Sequence, residues 1–463
     1  MSSAAGLSKR TNNFCYLILA HLSIILGYSF NHGLFYNQAQ LWLLLIGWFF
    51  LMQMFVKKPI INFRFKIKPL PLLLVANLVS FILFYFLDSG IYFQSQQGYN
   101  NVIILKFISL VIFSLYLINL EVRGDNLFSV FLRHLKKRKF IYLIILALAV
   151  RLLIIFYSPE PKIDVFWLLQ DGANDLFHGT NPYSSEFNNI YSPADCLKLY
   201  GQAECRNDNY SYLPATIIAT LPFRVMGDIR FMYVAAVFSS AAMIYSLTKK
   251  KFRRREIPEL LTLLLLYLPL SLFILEQSWV DPICVFLIYL FTFLASLGYK
   301  YVPYIALGIL LGTKQIMAVL LVFISKVNGV NFKKVLVTMA TLILIMAPFV
   351  VWNFQDLFYD VVTDQINFQD PSHALSFNTL SKNYFHRDIP LIIYAVVLLS
   401  LLVYLVRRAP NNLIGFISAS TMFLFTVYLL KRGFLNYYYY ISAMIILLIT
   451  LEVIKIRGRS LKL

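Results

Sequence analysis

Apolar runs of about 17 to 20 residues recur along the whole chain, each long enough to cross the ~30 Å hydrocarbon layer of a bilayer as a helix. They fall at 14–30, 40–56, 70–87, 102–120, 140–157, 231–248, 258–275, 282–297, 335–352, 389–406, 412–430 and 436–454. Two further apolar stretches break the pattern. A full crossing at 212–226 would move the six-residue basic group Lys249–Lys251 and Arg253–Arg255 to the wrong side of the membrane, so that stretch is predicted to be re-entrant or interfacial. The stretch 302–325 lies between Lys300 and the Lys326/Lys333/Lys334 group, which both belong on one side, so it should be two short helices meeting near Gly312-Thr-Lys-Gln315. The pattern therefore predicts an all-α polytopic membrane protein with about 12 crossings plus re-entrant segments.

Polar positions orient these spans. Lys9 and Arg10, Lys57 and Lys58 with Arg64, Lys66 and Lys68, the run Arg133/Lys136–Lys139, and Arg407-Arg408 all fall on one predicted face, the cytoplasmic one, as does the tail with Lys455, Arg457, Arg459 and Lys462. No cleavage site follows the first apolar run, which reads as a span. The longest polar stretch, 158–211, has the opposite sign. Glu160, Asp164, Asp171, Asp175, Glu186, Asp195, Glu204 and Asp208 outnumber Lys162, Lys198 and Arg206, which suits an external loop with a task. A second external loop is expected at 353–388. The chain divides into a four-span unit at 1–139, a core at 140–330 carrying the loop 158–211, and a C-terminal unit at 331–463.

Composition agrees: 59% of the 463 residues are hydrophobic and 14% charged. A formal charge of +19 would suggest a nucleic-acid partner in a soluble protein, but here the positive-inside rule accounts for it and no nucleic acid is expected. No zinc spacing, P-loop or dinucleotide fingerprint occurs, and neither metal nor cofactor is expected. Four cysteines are too few for a disulfide scaffold; Cys196 and Cys205 share the external loop and can pair, whereas Cys15 and Cys284 lie in spans.

The stretch 163–183, IDVFWLLQDGANDLFHGTNPY, is the centre of the candidate chemistry. At about 100° per residue, Asp164, Asp171, Asp175 and His178 fall within roughly 60° of arc, opposite Phe166, Leu169, Ala173 and Phe177. Gly179 and Pro182 end the helix. Such a stripe is either a solvated interfacial face or the acidic wall of a site over the membrane. Asp164, just past the fifth span, is the candidate general base and Asp171 its partner or substitute. Lys314, inside an apolar stretch, is expected to grip an anion or pair with an acid. Lys431 and Arg432 fall on the acidic side and call for a phosphate or carboxylate. Arg151 is placed to help them or to pair with Glu276 or Asp281. Glu276 and Asp281 sit on an external hairpin, His373 and His386 in the second external loop are candidate proton carriers, and Tyr437–Tyr440 read as an interfacial aromatic belt.

The order of these elements resembles the membrane-embedded GT-C glycosyltransferases, in particular the bacterial branch that uses polyprenyl-phosphate mannose. The likeness rests on Asp164 after an outward span, on GTNPY at 179–183, on YSYLP at 210–214 where the family carries a second proline, on EQSWVDP at 276–282 with Glu276 in place of a usual glycine, and on GTKQ at 312–315. It covers roughly 140–325, and the four N-terminal spans lie outside it. The resemblance implies an inverting transfer of a hexose, mannose by the family's habit, from a polyprenyl-phosphate sugar to a lipid- or glycan-linked acceptor at the external membrane face. Asp164 would be the base by the family's pattern, and on physical grounds rather than by a motif match Lys314, Gln315, Lys431, Arg432 and Arg151 would meet the donor phosphate. Asp175, Tyr183, Tyr212, Glu276, Asp281 and His373 would line the acceptor or support the rest. The competing classes are a transporter or flippase of a lipid-linked sugar, which broken spans around a buried lysine suit, and a scaffold in an envelope-assembly complex.

Overall fold

The structure is a computed structural model and describes residues 2–31, 35–63, 68–87, 90–118, 126–200, 209–367 and 374–456. Arg64, Lys66, Glu204, Cys205, Arg206, Asp208, His373, Arg457, Arg459 and Lys462, named above, lie outside them. Every regular element in the described residues is helical. The first five helices are α1 (Ser2–Ser29), α2 (Gln38–Met52), α3 (Pro69–Leu87), α4 (Gln96–Leu117) and α5 (Leu127–Tyr157). Next come α6 (Asp164–Phe177), α7 (Pro193–Tyr200), α8 (Pro214–Val225), α9 (Phe231–Lys249), α10 (Glu256–Leu266), α11 (Ser271–Glu276), α12 (Asp281–Ser296), α13 (Val302–Leu311) and α14 (Val319–Phe323). The chain closes with α15 (Phe332–Trp352), α16 (Phe354–Phe358), α17 (Asp364–Asn367), α18 (Phe377–Phe385), α19 (Leu391–Arg408), α20 (Leu413–Leu430) and α21 (Leu435–Ile456).

Polar residues start these apolar helices. Asn37, Ser95, Asn126, Asn331 and Asn412 each accept a hydrogen bond from a backbone N–H in the first turn of α2, α4, α5, α15 and α20. Each thereby satisfies a donor that lipid cannot.

Eight of the described helices are long and apolar enough to cross a membrane: α3, α4, most of α5, α9, α15, α19, α20 and α21. Several of the twelve expected crossings are shorter pieces. The stretch 40–56 is represented by α2 and 282–297 by α12, of 15 and 16 residues. The stretch 258–275 is not one helix. It breaks between α10 and α11 at Tyr267–Leu270, where Leu270 takes a left-handed backbone with φ of 59°. A broken helix satisfies its freed backbone groups only inside protein, and the residues of α10 and α11 are almost all buried. Over 212–226 the structure has only the 12-residue α8, and over 302–325 the chain breaks at Gly312-Thr-Lys314 between α13 and α14.

Helices α20 and α21 are buried along most of their length, while few residues of α15 and α19 are buried, the pattern of a central pair and a lipid-facing rim. The N-terminal helices close on this centre rather than on each other alone. α1 packs on α2 and on α21, α2 on α20, and α3 on α10. Trp48 of α2 donates its indole N–H to Thr426 of α20 at 2.8 Å, and Tyr28 of α1 donates to the carbonyl of Pro269.

Candidate functional site

Helix α6 begins one residue after Ile163, and Asp164 occupies its first turn, where the positive end of the helix dipole favours a carboxylate. Its far end is closed as the glycine predicted. Gly179 adopts φ of 80°, its N–H reaches the carbonyl of Leu176, and the N–H of Thr180 reaches that of Asp175 at 2.8 Å. Val165, Phe166, Leu168, Leu169, Gly172 and Ala173 are buried. Gly172 has a packing reason: a Cβ there would stand 3.1 Å from the ring of Tyr210.

The carboxylates of the stripe part company in three dimensions. Asp171 is exposed, and its neighbours are Asp175 and Arg224. Arg224 of α8 donates to Asn174 at 3.2 Å, which ties the outer half of α6 to α8. Asp164 keeps some exposure, but protein crowds its carboxylate. Desolvation raises its pKa, against the opposing pull of a Tyr191 hydroxyl that donates to Oδ1 at 2.9 Å and of the amides of Val165 and Asp164. Tyr191 was not singled out from sequence; its one signal is an aromatic residue directly before the Ser192-Pro193 start of α7. Ser192 and Asp195 cap that helix reciprocally, and Cys196 within it is disulfide-bonded, while Cys15 and Cys284 are free.

Two motifs far apart in sequence form one structural unit. The N–H groups of Leu213 and Ala215 donate to the carbonyls of Thr313 and Gly312, and the Thr216 hydroxyl donates to Thr313. Gln315 donates from Nε2 to the carbonyls of Ser211 and Val361, at 3.0 and 2.9 Å. YSYLP thus fills the break in 302–325, using the backbone groups that the interrupted helix releases. Tyr183 clasps the same segment: its hydroxyl donates to the carbonyl of Tyr212 at 2.7 Å and its ring stands edge-on to Tyr210. Asp360, which the sequence did not single out, is buried in the π-helical turn before α17 and accepts from the N–H of Tyr210 at 3.0 Å.

The break presents Lys314 to the start of α12. Its ammonium lies 2.9 Å from Oδ2 of the fully buried Asp281, and Asn436, in the first turn of α21, donates to the same oxygen at 2.9 Å. Oδ1 of Asp281 has no partner among the described residues. Lys314 also stands over the ring of Tyr437, 5.2 Å from its centroid, and that ring stacks on Tyr428 at 4.5 Å. Tyr212 has Asp164, Tyr233, Tyr437 and Asp281 among its ionisable neighbours. Burial, reinforced by those charges, raises its pKa well above the usual phenol value, so it stays a protonated donor.

The remaining candidates lie elsewhere. Arg151 is buried, and its guanidinium donates to the carbonyls of Ala147 and Leu266 and to Ser271, bracing the broken start of α11. Glu276 accepts from the N–H groups of Ile91 and Tyr92 at 2.8 and 3.0 Å and from the Ser158 hydroxyl, so it anchors the loop between α3 and α4 to the end of α5. Arg432 donates to the carbonyl of Gln365 at 3.4 Å, and Lys431, at the end of α20, has Asp388 as an acidic neighbour. His386 closes α18 with a left-handed φ of 53°. No group of three or more His, Cys, Asp or Glu converges in metal-ligand fashion among the described residues. Compared with known proteins, the chain matches no family model, no curated protein and no solved structure.

Proposed function

We propose that the chain is an integral-membrane glycosyltransferase that moves a hexose from a polyprenyl-phosphate sugar to the hydroxyl of a lipid- or glycan-linked acceptor at the external face of the membrane. One observation carries this reading: the segment 211–216 is hydrogen-bonded to the break that presents the anchored ammonium of Lys314, and Tyr212 within it has the crowded carboxylate Asp164 among its ionisable neighbours. Direct displacement at an anomeric carbon asks for a base on one side of the sugar and positive charge on the other. Asp164 takes the acceptor's hydroxyl proton, and the acceptor oxygen bonds to the anomeric carbon with inversion. The carbon–oxygen bond to phosphate breaks, and its electron pair leaves with the lipid phosphate beside Lys314. Desolvation makes Asp164 a stronger base than a free aspartate. The pairing of Lys314 with Asp281 lets a charged amine persist in a buried setting while holding it in place. Mannose is the sugar that the sequence resemblance favours.

The transporter reading draws on the same interrupted helix with its buried ion pair. A labelled polyprenyl-phosphate hexose and a model acceptor, supplied to the purified chain in detergent, separate the two. An enzyme transfers label without compartments; a transporter leaves donor and acceptor unchanged.

A further inference from the structure

We propose that Tyr191 is a positioning residue for the base: its hydroxyl holds the Asp164 carboxylate by Oδ1 and leaves Oδ2 to take the acceptor's proton. The proposal rests on the reading of Asp164 as the base of a sugar transfer.

Two contacts place Tyr191 there. Its hydroxyl donates to Oδ1 of Asp164 at 2.9 Å, and the N–H of Asp164 reaches the same hydroxyl oxygen by a longer contact of 3.5 Å. The first turn of α6 has a use for that oxygen, because Ile163 precedes it with no side chain that caps it. A phenol that accepts from this backbone N–H has its own proton turned to the carboxylate. No other side chain among the described residues donates to Asp164, and no cation pairs with it. The terminal torsion of an aspartate is soft, so this one donor decides which oxygen faces the acceptor.

Both partners stand on anchored backbone. The N–H of Tyr191 donates to Oδ1 of Asn189 at 3.1 Å, and Ser192 is locked to Asp195 at the start of α7. The N–H of Cys196 donates to the carbonyl of Ser192, and Cys196 is buried and disulfide-bonded. On the other side, Trp167 of α6 donates its indole N–H to the carbonyl of Pro161 at 3.2 Å, and Arg230 stands over the ring of Phe166, 4.9 Å from its centroid. Two supported segments that bring a donor to a base fix its geometry before any substrate arrives. The other ionisable groups near Asp164 are Tyr92 and Tyr212, and burial raises the pKa of both, so they stay neutral. Tyr191 is therefore the side chain that favours the ionised carboxylate against its desolvation.

Tyr191→Phe removes the hydroxyl and keeps the ring. In the full chain in detergent, with a labelled polyprenyl-phosphate hexose and a model acceptor, kcat should fall about tenfold with the donor KM little changed. The acid limb of the rate should move up by about one pH unit, since the ionised carboxylate loses its side-chain donor. A residue that only supports the fold would lower the rate equally at every pH. An unchanged rate, or a lower one with the acid limb in place, overturns the proposal and leaves the transferase reading standing. Thermal unfolding gives a readout independent of transfer. Tyr191→Phe places the folded pKa of Asp164 further above the unfolded one, which deepens a cost of ionisation that is absent in acid. Its loss of Tm should therefore be larger at neutral pH than in acid, and should not vary with pH in an Asp164→Asn background. In a wild type that transfers nothing, the transferase reading falls; that pH-dependent loss then supports the hold of Tyr191 on the carboxylate, and its absence overturns it.

Discussion

Glu276 and Asp281 flank one short turn between α11 and α12, and neither is exposed. The fold uses them in opposite ways. Both carboxylate oxygens of Glu276 are engaged by neutral donors, two backbone amides and a serine hydroxyl, none of which can leave. Asp281 concentrates a lysine and an asparagine on Oδ2 and leaves Oδ1 without a partner among the described residues. Arg151 and Lys314 form the same contrast among cations: the first donates to two carbonyls and a hydroxyl, the second has one carboxylate and an aromatic face. A buried charge whose capacity is filled by the backbone holds the scaffold together. One left with capacity is a group that can still meet a ligand.

The contrast is tested most severely at Asp164. Asp164→Asn keeps the shape but accepts no proton, so turnover should fall by about 10²–10⁴-fold. Stability should move the other way. Desolvation places the folded pKa above the unfolded one, so the folded chain binds this proton more tightly. Ionising Asp164 therefore costs stability as pH rises from the unfolded value through the folded one, and the cost persists at neutral pH. Thermal unfolding at neutral pH should find Asp164→Asn at least as stable as wild type, with the difference closing in acid. The wild-type rate should fall on the acid side with an apparent pKa above that of an ordinary aspartate. Full activity in Asp164→Asn would return the stripe to a solvated face and favour the transporter.

Lys314→Met should cost about 10–10²-fold in turnover, since it removes the charge that meets the departing phosphate. It also leaves Asp281 without its ammonium, so normal expression and unfolding must be checked beside the rate. An unchanged rate in well-folded protein would move the phosphate contact to Lys431 and Arg432.

Glu276→Gln sharpens the other side. Turnover per folded molecule should be unchanged, while unfolding in detergent shows a loss of about 1–3 kcal/mol, because an amide oxygen cannot replace both oxygens of the carboxylate that two N–H groups and a hydroxyl now share. A large loss of turnover at full stability would place Glu276 in the chemistry after all.

What was readable in the sequence was whatever depends on local pattern. The break at Gly312-Thr-Lys-Gln315, the lack of a span-length helix over 212–226 and the closing of α6 by Gly179 agree with what charge placement and one glycine predict. The contacts that assemble the site did not, because they join residues of unrelated elements. Nothing in EQSWVDP announces that Asp281 meets Lys314 and Asn436, and nothing near position 191 or 360 marks Tyr191 and Asp360 as the partners of Asp164 and Tyr210. The break between α10 and α11 was hidden for a related reason: its residues are apolar throughout, and only buried packing lets Leu270 adopt its left-handed backbone. Arg151 shows the converse, a charge in an apolar run that donates to the carbonyl of Leu266 at the same hidden break and to that of Ala147 in its own helix.

The smallest effect is expected at Asp171, one face-repeat from Asp164 on the same helix. A helical wheel cannot separate the two, since seven residues return nearly to the same angle. The covering segment does: Tyr191 reaches Asp164, whereas Asp171 faces outward beside Asp175 and Arg224. The pKa of Asp171 is raised by partial desolvation and by the like charge of Asp175, against the pull of Arg224, and none of these groups leads to Lys314. Asp171→Asn should therefore change turnover by less than about threefold and, by relieving repulsion from Asp175, leave stability unchanged or slightly higher, as exposed substitutions usually do. Steady-state rates for Asp171→Asn and Asp164→Asn, measured on the same donor, decide the matter. If Asp171→Asn were the inactive protein and Asp164→Asn the active one, the base would move two turns outward along α6, and the site would have to be rebuilt around the Arg224 face rather than the break at Lys314.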